Sequence, residues 1–174
     1  EWIGPFAAVN RANAVLQQAE EIEGVDLSRQ IAEARFLRGH FNFELQRTFR
    51  NIPFLDKEDL NDPNQPNEGP IWDKIEEDFQ FAIDNLPETQ AERGRANKWA
   101  AKAYMGKVFL YQDKFDQALG MLQDVILNGP YGLHSDYVNN FTIAGENGPE
   151  AIFAIQFLND GGDSFNGNRG GALN

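Results

Sequence analysis

The chain has no cysteine, only two histidines and only two methionines in 174 residues. Without cysteine there is no disulfide scaffold, no thiolate zinc site, no thiol nucleophile and no lipidated cysteine within these residues. Positive charge is also scarce. Fifteen Lys and Arg face 27 Asp and Glu, for a net charge of −12. So acidic a surface repels phosphate backbones and anionic lipid, which argues against nucleic acid as a partner. No apolar run approaches the ~18 residues that would span a bilayer as a helix, and no charged-then-apolar signal segment opens the chain. The sequence holds no G-x-S-x-G, no H-E-x-x-H and no glycine-rich phosphate loop.

What is present is a packed globular composition, 41% hydrophobic and rich in Phe, with fourteen copies. The clearest pattern lies in Ala101 to Ile126. Gly106 stands three residues before Phe109, Asp113 marks a turn, and Phe115, Asp116 and Ala118 open a second segment. Small residues let two helices approach closely and large ones fill the groove between them. This is the signature of a tetratricopeptide (TPR) helical hairpin, here spanning 97–128.

Six more segments surround it. Phe6, Val9, Asn13, Leu16 and Glu20 share one side of a first helix from about Pro5 to Glu21, ended by Gly24. Ser28 is the expected N-cap of a second helix. Its face is Ala34, Leu37, Phe41 and Leu45, with Phe36 and Phe43 on a flanking face, so that helix lies between others. Pro53, Pro63, Pro66 and Pro70 break the pattern over 51–70, longer than the ~12–15 residues of ordinary loops. A third helix follows from about Ile71, carrying Trp72, Ile75, Phe79, Ala82 and Leu86, with Trp72 and Trp99 read as core. Ala151 to Phe157 reads as a short extended segment, and 159–174, with five Gly and four Asn, as loop.

Taken in order, these segments resemble the SusD/RagB family. Trp2, Phe6, Val9, Ala12 and Asn13 resemble W-x3-Y-x2-I-x2-A-N, with Phe for Tyr. Glu33 to Leu55 (EARFLRGHFNFELQRTFRNIPFL) is similar to A-x-F-L-R-A-x-x-Y-F-x-L-x-R-x-F-G-x-V-P-L, with Gly39, His40 and Arg50 as departures. Ile71 to Pro87 resembles V-Y-x-x-I-x-x-D-L-x-x-A-x-x-x-L-P, and Gly94 to Tyr111 resembles G-R-A-x-x-x-A-A-x-A-L-L-A-x-V-Y-L-Y. PYGLHSDYVNNF and PEAIFAIQF continue the family's order. The resemblance implies a mainly all-α fold, a SusD-like superhelix of TPR-like hairpins with long loops. It implies that residues 1–174 are a middle part of one such domain in a longer, lipid-anchored protein of the cell outer membrane. It further implies a non-catalytic protein that captures glycan or another nutrient and caps a SusC-like TonB-dependent transporter, without a cofactor.

No binding residue of the family can be carried over by motif, so ligand candidates come from chemistry. A sugar needs a flat apolar face for its ring and planar polar groups for its hydroxyls. Asp163, Phe165, Asn166, Asn168 and Arg169 supply that combination in one stretch, and Trp2 is a second candidate. For each aromatic the alternative is packing against the rest of the domain. Three other groupings have plain structural readings. Glu76, Glu77 and Asp78 read as a solvated helix face, with Asp78 capping or pairing, rather than as a glycosidase pair. His40 and Glu44, one turn apart, lack a third metal ligand. Asp160, Asp163 and Asn166 lack the spacing of a calcium loop. The alternative function is a TPR-type protein-interaction module holding a peptide tail on Asn97, Lys98 and Lys102. The acidic net charge and the long 51–70 interruption both weigh against it.

Overall fold

The computed structural model describes residues 3–59, 64–67 and 69–156. It is helical, with no strand among the described residues: α1 (Ile3–Glu21), α2 (Ser28–Phe49), α3 (Trp72–Asn85), α4 (Lys98–Leu110) and α5 (Phe115–Asn128). Each helix packs on its neighbours in sequence, α1 on α2, α2 on α3, α3 on α4 and α4 on α5, the serial layering of TPR-like folds. Short 3₁₀ turns follow at Lys57–Asp59, Tyr137–Phe141 and Ile143–Gly145. Residues 151–156 carry no regular secondary structure.

The main core runs through α2 to α5. Phe36, Phe43, Ile75, Phe79 and Val108 are fully buried in it, and Trp72 packs against its edge. Burying each Phe contributes ~1.5–3 kcal/mol before entropy is subtracted. The seam of α2 is therefore Ala32, Phe36 and Phe43, all at 0% exposure, while Leu37 is 39% exposed. The expected Leu37–Phe41 face is the side face, and the Phe36–Phe43 face is the central one. A second, smaller cluster joins Val9, Leu45 and Ile52, with Phe6 and Phe41 packed on it.

Gly106 bears out the sequence clue. A Cβ there would lie 2.7 Å from Cγ and Cδ2 of Leu122, so α4 and α5 approach at a distance that glycine permits. Ser28, by contrast, does not cap α2. It is the first helical residue, and Asp26 Oδ1 accepts from its backbone N–H at 3.0 Å and its hydroxyl at 2.6 Å. The carboxylate is the stronger acceptor, and its position two residues upstream lets it reach both donors at the helix start. Asn97 does cap α4, accepting from Ala100 N–H at 2.9 Å.

One buried polar group ties the layers together. Arg38 of α2 holds Asp78 of α3 through Nε (2.7 Å) and Nη2 (2.8 Å), while its Nη1 reaches Asn13 of α1 at 2.8 Å and Asp56 at 2.7 Å. Asn13 in turn donates to the Leu55 carbonyl at 2.8 Å, and the guanidinium lies over the Phe54 ring. The start of the 51–70 stretch is thus anchored to α1 and α2. Asp78 is 1% exposed, so it belongs to the interior and not to a solvated face. It falls in register with Ile75 and Ala82, which aims it inward. Glu76 and Glu77 behave separately, paired with Lys114 (2.7 Å) and Lys74 (3.1 Å) respectively.

His40 is buried among aromatic rings, with centroids at 4.9 Å from Phe41 and 5.1 Å from Tyr104. Its Nδ1 has no hydrogen-bond partner among the described residues. Burial pushes its pKa below the ordinary histidine value; Glu44 opposes this, and Lys107 and Arg47 add to it. The unfolded chain therefore takes up this proton first. Stability supplied by neutral His40 is full above pH ~6.5 and is lost as pH falls from there through the depressed value. A His40→Phe variant is expected to melt with a shallower acid-side decline between pH 7.5 and 5 than the parent. Parallel curves would show that His40 does not titrate on unfolding.

Candidate binding groove

The six residues singled out for ligand contact, Trp2, Asp163, Phe165, Asn166, Asn168 and Arg169, all lie outside the described residues. The described part nonetheless forms a groove with the required chemistry. It is built on the side faces of α1 and α2, where Ala8, Arg11 and Ala12 face Leu37 and Phe41. The turn at 92–95 and the segment 153–156 close it, contributing Arg93, Arg95, Phe153 and Gln156, for a volume of about 620 Å³. That lies within the roughly 300–1,000 Å³ usual for small-ligand sites.

Local chemistry explains each wall. Phe41 comes from the α2 face that the central core leaves over, and it also rests on the smaller cluster. Phe153 is held by the central core, edge-on to Phe36 at 5.0 Å. Gly94 has φ +82, and a Cβ there would stand 2.7 Å from Gln156 Cγ. Only glycine gives both that backbone conformation and that closeness of the two walls. Gln156 is oriented by a reciprocal amide pair with Asn147, at 3.0 and 2.9 Å. Behind the 92–95 turn a smaller recess of about 250 Å³ adds Asn97, Tyr131 and Asn147. Apolar rings and planar amide or guanidinium groups thus share one concavity.

Arg95 donates to Glu92 and Glu33, each at 2.7 Å, and holds the Glu92 carboxyl below the ordinary range. These contacts fix the turn that carries Arg93. Sequence reading missed Arg11, Phe41 and Phe153 because two of them sit in scaffold-like segments and the third in a short apolar run. One signal was available: α2 is apolar on two faces, and a helix needs only one for its core.

Two of the three residues of the peptide-clamp reading are already engaged. Lys102 is paired with Asp124 and lies over the Trp99 ring, while Asn97 caps α4 and donates to the Tyr131 hydroxyl at 3.0 Å. Among the described residues no three His, Cys, Asp or Glu side chains converge as metal ligands, and no helix is long and apolar enough to cross a membrane.

Comparison with known proteins accords with this architecture. Residues 1–110 match the SusD-like family described as starch-binding and associating with the outer membrane. A SusD-like protein of Bacteroides ovatus is 28% identical over 90% of this chain and 32% of its own length. A crystal structure with a xylogluco-oligosaccharide superposes with a TM-score of 0.81 at 28% identity, over 90% of this chain and 35% of that one. A laminarin-binding SusD-like protein gives 0.79 at 29% identity, over 87% and 36%. The chain therefore spans about a third of the length of these relatives. With the family matched over most of its length and the helices in the family's arrangement, this chain belongs to the SusD-like family.

Proposed function

We propose that the chain forms part of a non-catalytic glycan-capture protein at the outer membrane, serving a SusC-like TonB-dependent transporter and held by a lipid anchor. The observation that carries the binding half is the groove. It pairs the Phe41 and Phe153 rings with Arg11, Arg93 and Gln156, the combination of apolar face and planar polar groups that a pyranose needs. The relatives described with a xylogluco-oligosaccharide and with laminarin support sugar as the ligand class. The outer-membrane setting rests on the family description, and delivery to a transporter follows from the resemblance. Binding by stacking and hydrogen bonding breaks no bond, so no catalytic carboxylate pair is required.

The test is affinity-gel retardation of the full-length protein against plant, algal and host polysaccharides. Retardation by at least one glycan is expected. Phe41→Leu keeps apolar bulk but loses the flat ring, and is expected to weaken that binding about threefold to tenfold, ~0.5–1.5 kcal/mol. Retardation by no polysaccharide, alongside selective capture of a protein tail, would favour the interaction-module reading. Undiminished binding by Phe41→Leu would move the sugar site away from this groove.

A further inference from the structure

We infer that this groove selects acidic glycans, those carrying carboxylate or sulfate groups, over neutral ones. The inference rests on the glycan-capture reading and concerns the same site. Its basis is the local sign of charge. The chain carries −12 overall, yet the charged residues lining the groove are Arg11, Arg93, Arg95 and Glu92. Arg95 is consumed. It bonds Glu92 and Glu33, and Glu33 also takes Arg29 at 3.1 Å, which closes a group of two cations and two anions. Arg11 and Arg93 stand outside that group, and neither is paired with a carboxylate among the described residues. Among the described residues they leave the groove with two unmatched positive charges, in a chain that is acidic overall.

Exposed charges farther than about 8 Å are largely screened at physiological ionic strength, so the ligand responds to the guanidinium groups it touches. Guanidinium is also suited to the task. Its planar fork matches the oxygens of a carboxylate or sulfate in a bidentate pair, and it stays charged at every relevant pH. A ring seated on Phe41, beside Leu37, could turn its anionic substituent toward Arg11 or Arg93, using stacking and ion pairing together. A neutral sugar would leave both cations with water alone. Their origin in separate walls of the groove, one on α1 and one on the 92–95 turn, further suits a chain of acidic residues over a single anion.

Matched ligand pairs test this in the full-length protein by calorimetry at about 0.15 M salt. One pair is an oligogalacturonide and its methyl ester; the other is a sulfated galactan oligosaccharide and its desulfated form. The acidic member of at least one pair is expected to bind about tenfold tighter than its neutral partner. Whichever pair shows the effect identifies carboxylate or sulfate as the recognised group. The double variant Arg11→Gln, Arg93→Gln should bring the acidic ligand down to the affinity of its neutral form, with an unchanged melting temperature. Equal binding within both pairs, or a preference for the neutral members, overturns the inference and leaves glycan capture standing. An acid preference that survives the double variant removes these arginines from the site. Absence of binding to every glycan, acidic or neutral, fails the capture reading itself.

Discussion

Replacing Arg38 with alanine is expected to cost about 3–5 kcal/mol, a large share of the ~5–15 kcal/mol that holds a typical domain together. The reason is what the guanidinium leaves behind. Asp78 is 1% exposed and takes two of its hydrogen bonds; Asn13, fully buried, takes another. With the cation gone, a carboxylate and an amide oxygen remain inside the protein without their donor, which is worse than never having had the pair. Arg38→Lys should recover only part of the loss, because an ammonium cannot span both Asp78 oxygens and Asn13 at once. The effect should also depend on pH. Burial already pushes the Asp78 carboxyl up against the pull of Arg38. In the alanine variant that pull is absent, so the folded state favours the protonated acid more strongly. A group whose folded pKa is raised in this way is least costly at low pH and becomes more costly as pH rises through the ordinary carboxylate range. Urea unfolding should therefore show a smaller penalty at pH 4 than at pH 7. A loss under ~1 kcal/mol at pH 7 would show that water replaces the guanidinium and that the network is dispensable.

That network marks where sequence reading reaches and where it stops. Helical periodicity located three of the five described helices, and the small-residue spacing around Gly106 located α4 and α5 and foretold their close approach, because those signals are local. Arg38 pairs with partners 25 and 40 positions away, and no period links residues at such separations. Asp78 was still partly legible. A carboxylate in register with Ile75 and Ala82 demands a buried partner, yet its acidic neighbours Glu76 and Glu77 made the run resemble a solvated face. Asp26 displaced Ser28 as the acceptor at the start of α2 because both side chains suit the role and only geometry decides between them. The groove is the extreme case. Its walls come from α1, α2, the 92–95 turn and the 153–156 segment, brought together only by the packing of the whole chain. The aromatic-and-amide criterion used on the sequence was sound chemistry, but it favoured residues adjacent in the chain over residues adjacent in space.

Core and groove meet at Phe36, and its truncation is the second large effect. Phe36 is at 0% exposure, with ring centroids of Phe79, Tyr104 and Phe153 at 5.7, 5.5 and 5.0 Å, all edge-on. Phe36→Ala should cost about 3–5 kcal/mol, from lost transfer energy plus a cavity that three rigid rings cannot close. Phe36→Leu is milder, expected at ~1–2 kcal/mol, and keeps the chain folded. It is the more informative variant because Phe153 belongs to the groove wall and rests on the Phe36 ring. Hydrogen exchange of the amides at 152–156 should quicken in Phe36→Leu more than exchange in the middle of α3. Glycan affinity should fall as well, although Phe36 itself does not line the groove. The alternative is that the wall is held by the reciprocal amide pair of Gln156 with Asn147 and by the hydrogen bond that the Tyr131 hydroxyl donates to the Ile152 carbonyl. In that case exchange at 152–156 stays unchanged while global stability drops, and an Asn147→Ala variant, not Phe36→Leu, loosens the segment. The two variants, compared on the same amides, decide whether ring packing or amide pairing positions the groove.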